Sequence, residues 1–401
     1  MSVLCEPDYV CGWETGLTDE FAPVSTGNAG FTVATPPTLP TGYTSTYALL
    51  QGGLGRLERL STIQGGDRTV RSADFLFYPA TNPTGGTAAI LSFRTSISGL
   101  VGFGVGWDDD LHLKIIEISS GDILATGTAT ITAASPQWYC IKFAARAGCI
   151  DVKAQLYTVS GTTWTLVEEI SANTTAYTCG NMAWVSIGAW LQNSSSWYMD
   201  NLYLQGTFTL WPPTAPKLAF AQPSAVSSNH VNWKWWDGAA WTDSAANEWP
   251  EICERPPDDT DGAGAKDFIR RVTSTAAAIQ YYSHALAELT GENILAVQVG
   301  FRGENDTSAT MYYYCYMQLA GTTKSTYITL NSTAWNQDRV YYIRGKDPSL
   351  ADWTPANITS TIFAADIRGT GNVYISQIWM YVVHGTDTAA PTAIQRQTSA
   401  T

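Results

Sequence analysis

Hydrophobic and polar positions alternate along most of this chain. In the first half the segments AAILSFRTS, LVGFGVGW, LHLKIIEIS, WYCIKFAAR, CIDVKAQLYTV, TTWTLVEEI, MAWVSIGAWL and WYMDNLYLQ keep a period near two. That is the period of a strand with one face on a core. In LHLKIIEI the apolar positions are Leu111, Leu113 and Ile115. In the second half NILAVQVGFRG, TMYYYCYMQL, STYITL, RVYYIRG and NVYISQIWMYVVH repeat the pattern. Gly, Asp, Asn and Ser punctuate the runs at GWDDD, SSGD, SGTT and QNSSS. Such residues bond back to the backbone or accept positive φ, which turns require. Two short helical stretches are predicted, around 277–289 and near Pro355 to Thr359. Many short strands at this spacing predict an all-β chain of β-sandwich or jelly-roll type.

The alternation breaks most clearly at LWPPTAPKLAFAQPS, residues 210–224. Pro212, Pro213 and Pro216 fall within five residues there; proline cannot donate to a ladder and stiffens a linker. Two tandem β-sandwich domains are therefore predicted, over 1–209 and 225–386. A Pro-rich linker over 210–224 joins them, and a tail over 387–401 has little to bury. The halves show no close internal repeat, so two different sandwiches are expected.

Composition sharpens this picture. Of 401 residues 45% are hydrophobic, enough for a core in each half, and only 14% are charged, against about a quarter in an average soluble protein. A surface poor in Lys and Glu loses little side-chain entropy on packing against a neighbour. Sixteen Trp and twenty Tyr add rigid rings. The net charge of −13 repels a phosphate backbone, so nucleic acid is excluded as a partner. The N-terminal MSVLCEPDYVCGWE has no basic region followed by an apolar run, so it does not read as a signal peptide and synthesis in a cytoplasm is expected. No stretch approaches the roughly 20 apolar residues of a membrane helix, so no membrane insertion is expected. The seven cysteines are scattered, without CxxC, and read as buried thiols. Cys140 with Cys149, then Cys5 with Cys11, are the pairs placed for a bridge in an extracellular particle. Five Asn-x-Ser/Thr sequons, at Asn173, Asn193, Asn305, Asn331 and Asn357, are what a Ser/Thr-rich chain produces by chance.

Two resemblances follow from ordered segments. The first half carries GLVGFGVGW, the hairpin LHLKIIEISSGDILATGT, WYCIKFAAR, the hairpin CIDVKAQLYTVSGTTWTLVEE and a closing VSIGAWLQNSSSWYMDNLYLQG. In this order it resembles the concanavalin A-like, laminin-G-like jelly-roll family. That resemblance implies that the last strand pairs beside the first, with Asp200 and Asn201 on the matching motif. The second half carries WDGAAWTDSAANEWPEICERPPDDTDGAGAKDFI, NILAVQVGFRGENDTSATMYYYCYMQL, DPSLADWTPANITSTIFAADI and GNVYISQIWMYVVH. It is similar to a β-sandwich domain of tailed-bacteriophage virion proteins. It departs from that pattern at Gly262 to Lys266, where GAGAK replaces a Tyr-bearing turn. The resemblance implies a structural role, not a reaction: a component of a virion surface, in capsid decoration, tail or fibre. It would act by packing against other virion proteins and against itself, as a homo-oligomer, with a trimer expected by analogy.

The chemistry-bearing residues give no enzyme signature. His112, His230, His284 and His384 lie in no H-E-x-x-H motif, and no G-x-S-x-G elbow is present. A glycoside hydrolase would need two carboxylates roughly 5 to 9 Å apart across a cleft. Glu168 and Glu169 are adjacent and point to opposite faces of a strand, and Glu117 is alone on its strand. No catalytic residue and no cofactor is assigned, and hydrolysis ranks third among the functions considered. Asp108, Asp109 and Asp110, in a loop after Trp107, are the candidate calcium ligands, with Asp258 to Asp261 second; a solvated turn is the plainer reading of both. A lectin-like alternative, binding a cell-surface glycan or host receptor, would use exposed rings and amides. Its candidate residues are Trp190, Gln192, Asn193 and Trp197 at one rim and Trp233, Trp235 and Trp236 in NWKWWDGAAW, for which a core or interface role is the plainer reading. In TMYYYCYMQL alternation places Tyr312, Tyr314 and Tyr316 on one face and Tyr313 and Cys315 on the other, so both sides of that strand should be covered.

Overall fold

A computed structural model of the chain describes residues 9–21, 30–53, 55–60, 70–95, 101–146, 151–160, 163–173, 181–188, 195–206, 217–228, 233–236, 240–243, 269–271, 279–286, 289, 291–305, 311–330, 339–368 and 373–385. The described chain is nearly all strand, as the alternation predicts. It divides into two compact units. Residues 25–217, with 1–13 and 387–401, make the first; residues 218–386, with 14–24, make the second.

The first unit holds β1 (Tyr9–Cys11), β2 (Phe31–Ala34), β3 (Ala48–Gln51), β4 (Arg56–Leu60), β5 (Val70–Thr81), β6 (Ala88–Arg94) and β7 (Gly102–Trp107). It continues with β8 (His112–Glu117), β9 (Ile123–Thr130), β10 (Tyr139–Arg146), β11 (Asp151–Ser160), β12 (Thr163–Asn173), β13 (Trp184–Gly188) and β14 (Ser196–Gln205). One sheet runs β12-β11-β10-β5-β14-β3-β2, with β1 added on β14, and the other runs β4-β13-β6-β7-β8-β9. The last strand thus pairs with the first, Tyr9 opposite Leu204 and Cys11 opposite Leu202. Their inner faces meet in a sandwich. Phe77 of the first sheet packs edge-on against Trp107 of the second at 5.6 Å, and Phe143 stacks on Phe93 at 5.3 Å. The Asp200–Asn201 pair makes a bulge in β14: Asn201 takes φ 48° and donates its N–H to Asp200 Oδ1 at 2.6 Å. Asparagine tolerates that left-handed backbone, so the family-like motif has a geometric cause.

The second unit holds β15 (Lys217–Ala221), β16 (Pro223–Ser228), β17 (Trp233–Trp236), β18 (Trp241–Asp243), β19 (Ile269–Arg271), β20 (Gln280–His284) and β21 (Asn293–Asn305). Then come β22 (Met311–Leu319), β23 (Thr322–Leu330), β24 (Arg339–Arg344), the helical turn α1 (Pro355–Thr359), β25 (Ile362–Arg368) and β26 (Val373–Gly385). One sheet runs β18-β17-β19-β26-β21-β24, with β15 on β26, and the other runs β16-β20-β25-β22-β23. Val297, Val299, Phe301, Ile378 and Met380 of the first meet Cys315, Met317, Phe363 and Ile367 of the second in one core. The DPSLADWT segment is a structural staple. Asp347 accepts the N–H groups of Ser349 and Ala351 and the amide of Asn357, Trp353 enters the core, and Thr354 caps the turn that begins at Pro355.

Three expectations need correction. The helix predicted around 277–289 contains a strand, Gln280–His284, because its Tyr281 and Tyr282 pair with Ala364 and Phe363 of β25; tertiary pairing overrides local propensity. The linker predicted over 210–224 is shorter: KLAFA and PSAVSS form β15 and β16, while Pro212, Pro213 and Pro216 lie outside the described residues. Residues 14–24, assigned by sequence to the first domain, belong to the second unit. There Glu20 accepts from Thr15 and from the Tyr381 hydroxyl, and Gln377 donates to the Thr15 carbonyl. The reading of the cysteines as buried thiols holds at Cys140, which is free and faces Leu76 and Tyr157, with burial pushing its pKa up to about 12; Cys149 lies outside the described residues.

Candidate functional site

The proposed calcium ligands do not converge. Asp108 is buried, and its Oδ2 lies 2.8 Å from Lys114 Nζ on β8. Asp110 is exposed and 3.9 Å from the same ammonium, and Asp109 is exposed as well. A lysine thus occupies the position a cation would take between two of the carboxylates, and among the described residues no cluster of three His, Cys, Asp or Glu has metal-binding geometry. Asp258 to Asp261 lie outside the described residues.

Two of the candidate glycan rings take the core role that was the plainer reading of them. Trp197 is fully buried on the inner face of β14, between Phe31 and Phe77. It is core, because its place in the S-W-Y-M strand pattern shares a face with Met199. Trp233 is likewise buried in the second core. Trp235 and Trp236 have their backbone in β17, opposite Thr242 and Trp241. Their side chains, and Trp190, Gln192 and Asn193 entirely, lie outside the described residues.

Two other aromatic surfaces emerge instead, each on the outward side of a sheet. In the first unit, Leu76, Cys140 and Tyr157 are register neighbours on the side of the large sheet away from Phe75, Phe77 and Phe143. With Tyr43, Trp138 and Trp164 they form a small apolar cluster, against which Leu39, Tyr78, Val159 and Tyr198 pack. Tyr78 tilts against Trp138 at 5.3 Å and meets Tyr198, its partner in the ladder, at 6.2 Å. The Trp138 indole N–H donates to the Thr38 carbonyl at 3.0 Å, which ties the crossing segment to the sheet. Between that segment and the rings lies an open groove of about 450 Å³, lined by Pro37, Leu39, Pro40, Tyr78, Gln137 and Trp138. Gln137 is exposed at its edge and donates to the Tyr139 hydroxyl at 3.1 Å.

Further along the same face the character changes. Lys142 and Asp74 are opposite each other in the ladder and both buried, with 3.8 Å between Nζ and Oδ2. Burial pushes the Asp74 carboxyl up to about 6, against the opposing pull of Lys142. Several other carboxylates are committed to partners. Glu58 pairs with Arg94 and Arg56 and accepts from Ser186; Glu117 accepts from Ser119 and Ser120; Asp366 pairs with Arg368. Glu168 accepts the N–H groups of Thr128 and Ala129, joining β12 to β9. These acids serve the fold, and among them none faces a second carboxylate across a cleft.

In the second unit, Tyr312, Tyr314 and Tyr316 of β22 face away from the core that Cys315 and Met317 enter. Tyr314 and Tyr316 stack at 5.9 Å with 16° between their planes, and Tyr281 of β20 meets Tyr316 at 6.3 Å. Arg368 on β25 is fixed by three contacts. Its Nε is 2.8 Å from Asp366 Oδ2, its Nη2 donates to the Tyr316 hydroxyl at 2.5 Å, and its guanidinium lies 4.0 Å from the Tyr314 ring centre. Burial, with the Asp366 charge adding, pushes the Tyr316 phenol well up. Sequence reasoning found these tyrosines but not Arg368, whose place opposite Tyr312 is set by strand register.

No family model matches the chain, and no curated protein matches it. Among solved structures, a sialidase of Trypanosoma rangeli is 13% identical over 45% of this chain, with a TM-score of 0.31, and the match spans 27% of the sialidase's own length. The carbohydrate-binding module CBM66 of Bacillus subtilis is 17% identical over 44% of this chain and 95% of its own, with a TM-score of 0.28. The cellulose-induced protein Cip1 is 12% identical over 50% of this chain and 97% of its own, with a TM-score of 0.33. At these scores the likenesses assign no function to the chain.

Proposed function

We propose that this chain is a non-catalytic, glycan-binding β-sandwich protein, with its sugar site in the groove beside Tyr78 and Trp138. The observation that carries the reading is that groove: about 450 Å³, walled by the Tyr78 and Trp138 rings, three prolines and a leucine, with exposed Gln137 among its lining residues. Sugars offer apolar C–H faces to rings and hydroxyls to polar groups, so a groove that presents two rings beside polar surface suits them. The ring positions are held by Thr38 and Tyr198, so little ordering cost attends binding. The engagement of Glu58, Asp108 and Glu168 with bases and backbone N–H groups supports a binding role over hydrolysis. The test is a glycan array probed with the full chain, the Gln137→Ala variant and the Tyr78→Ala variant. Saturable binding that both variants weaken at unchanged secondary structure is the expected result; binding indifferent to both sinks the groove as its site.

The resemblance of the second half to phage virion domains supports a second reading that is compatible with the first. In it the chain is made in a host cytoplasm and decorates a particle surface, packing with virion proteins and with itself as a trimer. Native mass measurement and negative-stain imaging test this. A monomer that never associates with particles counts against it.

A further inference from the structure

The groove leaves the tyrosine face of the second unit unused. We propose that this face is a separate contact site for neutral sugars, with Tyr312 as the stacking ring and Arg368 as a fixed hydrogen-bond donor. The inference rests on the glycan-binding reading for its ligand class, but on different residues of a different unit.

Three observations lead there. Tyr312 is 44% exposed, whereas Tyr316 on the same face is 4% exposed, so one ring of the row keeps an accessible face. Directly opposite Tyr312 in the ladder stands Arg368, and antiparallel partners bring side chains within about 5 Å at Cβ. The guanidinium is immobilised by Asp366, Tyr316 and Tyr314, and among the described residues nothing accepts from its Nη1. A donor fixed in this way beside an accessible ring can engage a hydroxylated ring without losing freedom on binding. The flank of the face continues in the amide and hydroxyl groups of Gln318 and Thr323, which bond each other at 2.8 Å.

Charge selects the class. Asp366 already neutralises Arg368, and the chain carries −13 overall, so an anionic polymer gains nothing from the mean field. A neutral sugar needs only ring contact and hydrogen bonds. A protein partner would bury a wider apolar centre than one exposed tyrosine offers.

The test is affinity gel electrophoresis of the full chain in gels containing hydroxyethylcellulose, glucomannan, dextran or polygalacturonate. Tyr312→Ala, Tyr312→Phe, Arg368→Lys and Tyr78→Ala are run beside the parent, with circular dichroism to show that each is folded. Retardation by a neutral polysaccharide, weakened about tenfold by Tyr312→Ala and several-fold by Arg368→Lys but kept by Tyr312→Phe, supports the site; tenfold is the scale of one lost ring contact. Retardation abolished by Tyr78→Ala and untouched by Tyr312→Ala overturns this site and leaves the groove standing. Retardation by polygalacturonate alone overturns the neutral class. A parent chain that none of the four polymers retards overturns both sites together.

Discussion

The two units each turn an aromatic sheet face away from their core, and they treat it in opposite ways. In the first, the segment around Leu39 and Tyr43 crosses the face and buries Leu76, Cys140 and Trp138, leaving a groove at the margin. In the second, the stack of Tyr314 on Tyr316 is braced by Arg368 while Tyr312 stays in solvent. An outward aromatic face is therefore a second small core in one unit and a partly exposed tyrosine row in the other. What differs is the burial of the ring at the margin, 4% exposed for Trp138 and 44% for Tyr312. Ring truncation should consequently cost stability on the first face and ligand contact on the second.

The largest expected effect is at Trp138. It is 4% exposed, and its N–H is satisfied inside the protein. Trp138→Ala should destabilise the first unit by about 4 kcal/mol, counting the lost transfer energy and the cavity. Urea unfolding followed by circular dichroism measures it. A cost below about 1 kcal/mol would mean that the cover is not packed, and the contrast between the faces would fail.

Next comes Asp74, on the covered face. Its folded pKa, raised by burial from 3.8 to about 6, disfavours the charged form in the native state. The carboxylate therefore costs stability above pH 6, and that cost disappears as the pH falls toward 4. The rise corresponds to about 3 kcal/mol at most. Stability should accordingly increase between pH 7 and pH 5 through this group, and Asp74→Asn should flatten that limb. Denaturant midpoints across the range provide the check, with an unchanged limb in the variant as the contrary result.

How much of this contrast was legible in the sequence depends on the range of the interaction. Period-two alternation gave the strands, and it placed Tyr312, Tyr314 and Tyr316 together on one face. The same rule, applied to SWYMD, puts Trp197 with Met199, the core reading that stood ahead of a rim ring beside QNSSS. Asp108 read as a solvated or cation-binding turn because its partner, Lys114, sits on the returning strand at a position the hairpin register determines. Arg368 was invisible for the same reason: 52 residues separate it from the Tyr316 hydroxyl it binds. The AAAIQYYSHALAEL stretch carries helix-forming alanines and leucines, and its pairing with β16 and β25 makes its centre a strand. Local rules reach side-chain facing; they do not reach cross-strand partners.

A third test concerns the brace on the open face. Asp366 is fully buried and paired with Arg368. Arg368→Met keeps the length of the side chain but removes the charge that satisfies that carboxylate, so about 2 kcal/mol of stability should be lost. The Tyr314–Tyr316 stack should loosen at the same time, visible as a change in near-ultraviolet circular dichroism. An unchanged spectrum and midpoint would show that the tyrosines hold themselves without the arginine.

The smallest expected effect is the most discriminating. Tyr312 is half in solvent, and the core contacts of β22 are made by Cys315 and Met317 on the opposite side. Tyr312→Ala should shift stability by no more than about 0.5 kcal/mol, the usual scale for a surface substitution. Thermal unfolding of the variant beside Trp138→Ala then measures the difference between a covered and an open aromatic face directly. Should Tyr312→Ala cost as much as a buried ring, solvent is not what that tyrosine faces in the folded chain, and its position would have to be counted with Trp138 as core. A near-zero cost means that its ring is retained on the surface for something other than folding.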